Sequence, residues 1–267
     1  MVHPTRELAE RLERAFAWRT AEFVRVCGEP HAVAEPIAGG WAPFVEPGHP
    51  VNRASGMGMR GEVAAADLDR LEAFYRSRGE PIRVELCPFA HPSLISLLGA
   101  RAYRLRSFTT MHALSLAGWS PPPASEGVAV ERVSDSTADE FARTLSLGFH
   151  EGSEPAPMYQ RIPRVNARMP SVACFLARFD GRPAGAGSVS LTPRDEGGVA
   201  CLFGAATLPW ARRRGVQRAL LTARVAHARD SGLDLAGVMA ETGSASDRNM
   251  HRVGFGALYT RPALGLQ

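Results

Sequence analysis

The stretch at 199–232, VACLFGAATLPWARRRGVQRALLTARVAHARDSG, restricts the possible folds of this chain more than any other. Residues 199–208 carry no charge, as a strand buried on both faces does. Pro209 has no N–H to give to a ladder and ends that strand. Arg212, Arg213, Arg214 and Gly215 follow. Val216, Ala219, Leu220, Ala223 and Ala226 then recur at helical spacing until Ser231 and Gly232 stop the helix. A strand therefore feeds a short basic turn, and the turn feeds a helix N-terminus. The first turn of any helix leaves N–H groups without acceptors, at the positive end of the helix dipole. Gly215 admits a close approach to the backbone, and the arginines add full charges. A phosphate-bearing ligand is the expected occupant. The plainer alternative is a solvated arginine run on an ordinary strand–turn–helix.

The remaining chain reads as two stretches of mixed elements. Before residue 117 the pattern predicts a helix over 5–27, short strands and turns over 31–61, and a helix over 67–78. A strand over 81–86, a short helix over 92–99 and a long strand over 103–116 follow. Residues 118–127 contain Pro121, Pro122 and Pro123 in succession, which forbids a helix and favours an extended spacer. A division into 1–117, a linker at 118–127 and 128–267 is expected. Beyond the linker, strands are expected at 128–133, 172–179, 184–191, 233–240 and 256–264, with helices at 136–148, 157–168 and 246–253. Asp180-Gly181 reads as a hairpin turn. Gly56, Gly58 and Gly61 match G-x-G-x-x-G, but no helix opens directly after them, so a glycine-rich turn is expected rather than a dinucleotide site.

Composition narrows the chemistry. The 267 residues contain no lysine, so all 31 cationic side chains are arginine, in keeping with a GC-rich coding bias. A net charge of +4 suits anionic ligands. No basic–aromatic interleaving or recognised module points to nucleic acid. No apolar run approaches the ~20 residues of a membrane span, and the charged, helix-patterned N-terminus is unlike a signal peptide. A cytoplasmic protein without a membrane partner is expected. Cys27, Cys87, Cys174 and Cys201 lie far apart among apolar neighbours, and the histidines form no H-x-x-x-H, so no metal site is expected.

The order Arg212-Arg213-Arg214-Gly215-Val216-Gln217, after a strand that ends in Pro209-Trp210, resembles the R-x-x-G-x-G/A pyrophosphate signature of the GCN5-related N-acetyltransferases (GNAT enzymes). Gln217 stands where the family has Gly or Ala. The segment from Ser246 through Asn249 to Gly254-Phe255 resembles the family's N-x-x-x-x-G-F closure. The resemblance implies an α/β (α+β) fold with a mixed, mostly antiparallel sheet flanked by helices. A loose repeat, 92–114 against 247–264, suggests two GNAT-like halves in tandem, the first lacking a cofactor turn.

The resemblance further implies acetyl-CoA as co-substrate, with no metal. Residues 213–218 (Arg213, Arg214, Gly215, Val216, Gln217, Arg218), with Arg212, would hold its diphosphate. Ala205, Ala206 and Thr207 would pair with its pantetheine arm, and Asn249 would face the groove, although an N-cap role explains Asn249 equally well. The acceptor would be a small-molecule or peptide amine, which must lose a proton before it can react. Glu241 is the candidate base. The family's usual tyrosine acid is replaced by Met250, which leaves Tyr259 as the candidate donor. Residues 149–168 carry Glu151 and Glu154 as well as Arg161 and Arg164, so the acceptor's charge stays open. A homodimer is compatible with this reading. The alternative function is a catalytically inert acyl-CoA-binding or sensing module.

Overall fold

A computed structural model describes residues 2–266. In chain order its elements are helix α1 (Arg6–Val26), strands β1 (Val33–Ile37) and β2 (Gly40–Phe44), helix α2 (Ala65–Arg76), strand β3 (Ile82–Glu85), helix α3 (Pro92–Ala100) and strand β4 (Arg104–Ser115). After the linker come strand β5 (Val128–Arg132), helices α4 (Ala138–Phe149) and α5 (Pro157–Arg168), and strands β6 (Val172–Phe179), β7 (Arg182–Leu191) and β8 (Val199–Thr207). Helix α6 (Val216–Asp230), strand β9 (Leu235–Glu241), helix α7 (Ala245–Val253) and strand β10 (Gly256–Leu266) complete the chain.

Local chemistry sets the ends of these elements. Thr5 Oγ1 accepts the Leu8 N–H at 3.1 Å and caps α1, and the Ser244 hydroxyl does the same for Asp247 at the start of α7. Asp180 and Gly181 take positive φ values of 48° and 77°, the mirror-image turn that matches strand twist in a two-residue hairpin. Gly56, Gly58 and Gly61 lie in a loop with positive φ, and α2 opens only at Ala65, so this run is a turn as expected.

β1 and β2 form a hairpin of their own, and all other strands join one eight-stranded sheet in the order β3-β10-β4-β9-β8-β7-β6-β5. Every neighbour in that sheet is antiparallel except β8 and β9, which run parallel. The expected sheet type is thus observed. The linker at 118–127 contains no helix or strand, yet the sheet does not part there. β4 lies between β9 and β10, and β10 lies between β3 and β4. The repeated pairs α3–β4 and α7–β10 therefore interleave, and the closing strand of each half is hydrogen-bonded to strands of the other.

Helices cover both faces of the sheet. On one side Leu12 and Phe16 of α1 press so closely on Gly237 that a Cβ there would lie 2.8 Å from Leu12 Cδ2. On the other, Val216, Leu220, Leu221 and Val225 of α6 pack with Ala200, Leu202, Ala236 and Val238. Burying each of these large aliphatic side chains contributes about 2 kcal/mol. Arg11 pins α1 to the sheet by donating to the Gly197 and Gly198 carbonyls at 2.6 and 3.0 Å and pairing with Asp234. Among the described residues no helix is long and apolar enough to cross a membrane.

Candidate functional site

The parallel strands β8 and β9 part halfway along their length. They pair from Val199↔Leu235 to Leu202↔Val238, after which β8 runs on to Thr207 and β9 to Glu241 without further pairing. β8 stays attached to β7 on its other side, through Ser188↔Phe203, Ala186↔Ala206 and Gly185↔Thr207. The register of that pairing shifts between Ala186 and Ser188, with Gly204 at φ 48°. An added residue in one strand bends it and increases its local twist, so the bulge carries β8 away from β9. Arg224 of α6 lies under the bulge, fully buried, with Nε donating to the Leu220 carbonyl and Nη1 to the Ser188 and Phe203 carbonyls. Among the described residues no acid pairs with it, and burial pushes its pKa down to about 9. The edge of 203–207 that faces β9 is left open, and Thr207 Oγ1 is buried there without a partner.

At the end of β8, residues 208–215 turn into α6. Gly215 is the N-cap in the left-handed region (φ 78°), and Arg213 is left-handed as well (φ 63°). The first main-chain bond of the helix is Ala219 N–H to the Gly215 carbonyl, and none of the N–H groups of 213–218 donates to a protein acceptor among the described residues. These amides stand at and just before the positive end of a 15-residue helix. Ser125, from the linker, buttresses the turn. Its hydroxyl donates to the Gly215 carbonyl at 3.2 Å and accepts from Arg218 Nη2 at 3.1 Å. A Cβ on Gly215 would lie 2.6 Å from Ser125 Oγ, so the glycine is required by the protein's own packing as well as by its φ. Nothing in the proline-rich linker's sequence signalled this contact.

The arginines divide by environment. Arg213 is exposed, Arg214 lies 4.8 Å over the Phe179 ring, and Arg212 Nη2 donates to Glu151 at 2.7 Å. This pairing holds the Glu151 carboxyl below its ordinary range. Arg161 is paired with Glu46 and Glu29, Arg164 with Asp139, and Glu154 with the amide of Gln160, while Arg168 at the end of α5 is exposed. Gln217 is half-buried and Val216 fully buried, with no bond from either side chain across the turn.

Glu241 ends β9, exposed, opposite Thr109 on β4, at the far lip of the opening. Asn249 lies inside α7, where its side chain accepts from Arg252 at 2.9 Å; the N-cap is Ser244, so the capping alternative for Asn249 is corrected. Met250 is core. Tyr259 is not brought to the opening. β9 and β4 separate its strand from β8, and its hydroxyl donates to buried Glu13 at 3.0 Å, with Arg261 beyond. Burial raises the phenol's pKa and makes it a poor acid. A strand tyrosine inside the α1 core is packing, which corrects its assignment as a donor.

A second polar cluster lies one strand further along, where His112 of β4 meets Asp247 and His251 of α7. The sequence concealed it, because its members lie 112, 247 and 251 along the chain and its only local signal is an Asp-x-x-x-His spacing.

Residues 136–255 match the sequence model of the acetyltransferase (GNAT) family. No curated protein matches the chain. Among solved structures, a GCN5-related N-acetyltransferase from Kribbella flavida superposes with a TM-score of 0.67 at 22% identity, over 96% of this chain and 95% of that one. A GCN5-related N-acetyltransferase from Sphaerobacter thermophilus gives 0.58 at 16% identity, over 75% and 66%. A tandem GNAT protein from the clavulanic acid biosynthesis pathway gives 0.58 at 14%, over 75% and 68%. Residues 136–255 thus resemble the acetyltransferase (GNAT) family, and the chain shares its fold with the GCN5-related N-acetyltransferase from Kribbella flavida over nearly its whole length.

Proposed function

We propose that the opening between β8 and β9 binds acetyl-CoA and that the chain transfers the acetyl group to an amine. The observation that carries this reading is the conjunction of two features: the acceptor-free amides of 213–218, and the strand edge at 203–207 that opens beside them. A diphosphate satisfies the first, because a helix N-terminus with clustered N–H groups stabilises anionic oxygens. A ligand with regularly spaced amides satisfies the second, along Ala205, Ala206 and Thr207. Bound there, acetyl-CoA would supply an activated acyl thioester. A main-chain N–H of the unpaired β8 edge would favour negative charge on an acyl oxygen.

Glu241 would take the proton of the acceptor's ammonium, directly or through water. Its place at the end of the diverging strand supports this role, and among the described residues no side-chain partner engages its carboxylate. We infer that 118–127 separates an N-terminal half without a cofactor turn from the half that holds the working site, and that Ser125 belongs functionally to the latter. Glu151, Arg161 and Arg164 are engaged by Arg212, Glu46 and Asp139, which leaves them less available to a charged acceptor.

Isothermal titration of acetyl-CoA into the parent and an Arg213→Glu/Arg214→Glu variant tests the binding site. At least a tenfold loss of affinity is expected, and equal affinity contradicts it. Release of free thiol across a panel of amines tests transfer. Glu241→Gln is expected to lower kcat by about 10²–10⁴-fold with acetyl-CoA affinity retained. An acyl-CoA-binding module without catalysis is the second reading, favoured by the burial of both Met250 and Tyr259. Tight binding with no thiol release for any amine would establish it instead.

A further inference from the structure

We propose that His112, Asp247 and His251 form a binding site for a divalent transition-metal ion, with zinc as its natural occupant. Two elements supply the donors. His112 projects from β4, while Asp247 and His251 stand one turn apart on α7, on the side of the helix that meets the sheet. One ligand atom from each of the three lies within 4.8 Å of the other two.

The His112 side chain is fully buried, so both of its ring nitrogens need partners from the protein or a ligand. Its Nδ1 lies 3.2 Å from the Thr110 carbonyl oxygen, and its Nε2 lies 2.7 Å from Asp247 Oδ1. Both neighbours are acceptors, and a neutral imidazole has a single N–H to give. If Nδ1–H serves Thr110, the Nε2 lone pair faces a carboxylate oxygen directly, a conflict that either a second ring proton or a metal cation bound by both atoms resolves. That tautomer is the one metal-bound histidines adopt: the nitrogen away from the ion donates to a backbone carbonyl, which fixes the ring and raises its basicity.

Asp247 is oriented in the same way. Its Oδ2 accepts the Gly243 N–H at 2.9 Å, which leaves Oδ1 aimed at His112. Outer contacts of this kind commonly hold ligating carboxylates in place. His251 Nε2 lies 3.9 Å from the same Oδ1, and the two imidazole rings meet edge to face with centroids 5.3 Å apart. Metal–ligand bonds of about 2.0–2.1 Å in tetrahedral geometry place neighbouring donors roughly 3.3 Å apart. The observed 2.7 and 3.9 Å bracket that separation, so small side-chain rotations suffice to seat an ion.

The donor set selects the ion's class. Two imidazoles and one carboxylate suit zinc and its transition-metal neighbours, whereas magnesium and calcium demand oxygen ligands. Exposed His251 leaves the outer side open to water, which would complete four-coordination. The ion would join α7 to β4 and so fix 241–244, where Thr242 Oγ1 already contacts Thr110 Oγ1 at 2.9 Å. The inference does not depend on the acetyl-transfer reading.

The test uses the full-length chain, freed of metal by EDTA dialysis and titrated with Zn²⁺ by calorimetry. Co²⁺ serves as a spectroscopic substitute. The expected result is one ion per chain, a raised Tm with zinc, and visible d–d bands of tetrahedral cobalt. His251→Ala, a change at an exposed position that keeps the fold, is expected to weaken zinc at least tenfold; Asp247→Asn serves as a second variant with the same expectation. Failure of the parent to bind zinc, or undiminished affinity in either variant, overturns the proposal and leaves His112 and Asp247 a simple hydrogen-bonded pair.

Discussion

At the scale of single residues, burial decides which polar groups can do chemistry. Tyr259 and Glu13 face each other inside the core beneath α1, and burial raises the pKa of both. Exchanging the tyrosine for phenylalanine deletes the hydroxyl and leaves a buried carboxyl with one partner fewer. Tyr259→Phe is therefore expected to lose about 1–3 kcal/mol of stability in urea denaturation, with kcat for thiol release unchanged within twofold. A hundredfold fall in kcat without loss of stability would restore Tyr259 as a proton donor. Arg224 shows the reverse case. It pays the desolvation of an unpaired charge to bridge two strand carbonyls at the β8 bulge, the departure from regular pairing on which the opening depends.

At the scale of elements, local signals were legible and distant ones were not. The helix at 157–168 and the strand at 172–179 are legible to the residue, because Pro157 opens the one and a two-residue turn closes the other. The basic turn before α6 was equally plain. Pairing between strands far apart in sequence leaves no local trace, so the place of β4 between β9 and β10 could not be read, nor could the contact of Ser125 with Gly215. The loop after β2 gives a pH-dependent example. His49 Nδ1 accepts the Val51 N–H at 3.2 Å, the ring packs on Phe23 of α1, and Glu46 and Arg161 are its charged neighbours. Burial outweighs the favourable effect of Glu46 and pushes the His49 pKa down from 6.5 to about 4.

Between those values the unfolded chain binds more protons than the folded one, so stability falls as pH drops from 6.5 to 4 and this contribution is flat below. Urea denaturation at a series of pH values should show a slope of up to about 1 kcal/mol per pH unit in that window. His49→Gln should flatten it, and an unchanged slope would assign the effect elsewhere.

At the scale of the whole molecule, interleaving makes the two halves one folding unit. A fragment of residues 128–267 would lack β4, leaving the edges of β9 and β10 bare along most of their length. Exposed, partly apolar strand edges invite aggregation. The fragment is expected to be insoluble or unfolded by circular dichroism, whereas the full chain unfolds in a single urea transition. A soluble fragment with native-like spectra and acetyl-CoA affinity would mean that the sheet's continuity is dispensable. On this account the N-terminal half is a structural requirement of the half that carries the proposed cofactor turn.

The central claim is that the free amides heading α6, together with the parted edge of β8, hold acetyl-CoA. Amide NMR of the labelled full chain during titration with acetyl-CoA addresses it most directly. The predicted result is that the largest N–H shifts fall on 213–218 and 203–207. Shifts that cluster elsewhere, or saturating acetyl-CoA that leaves these amides unmoved, would contradict it.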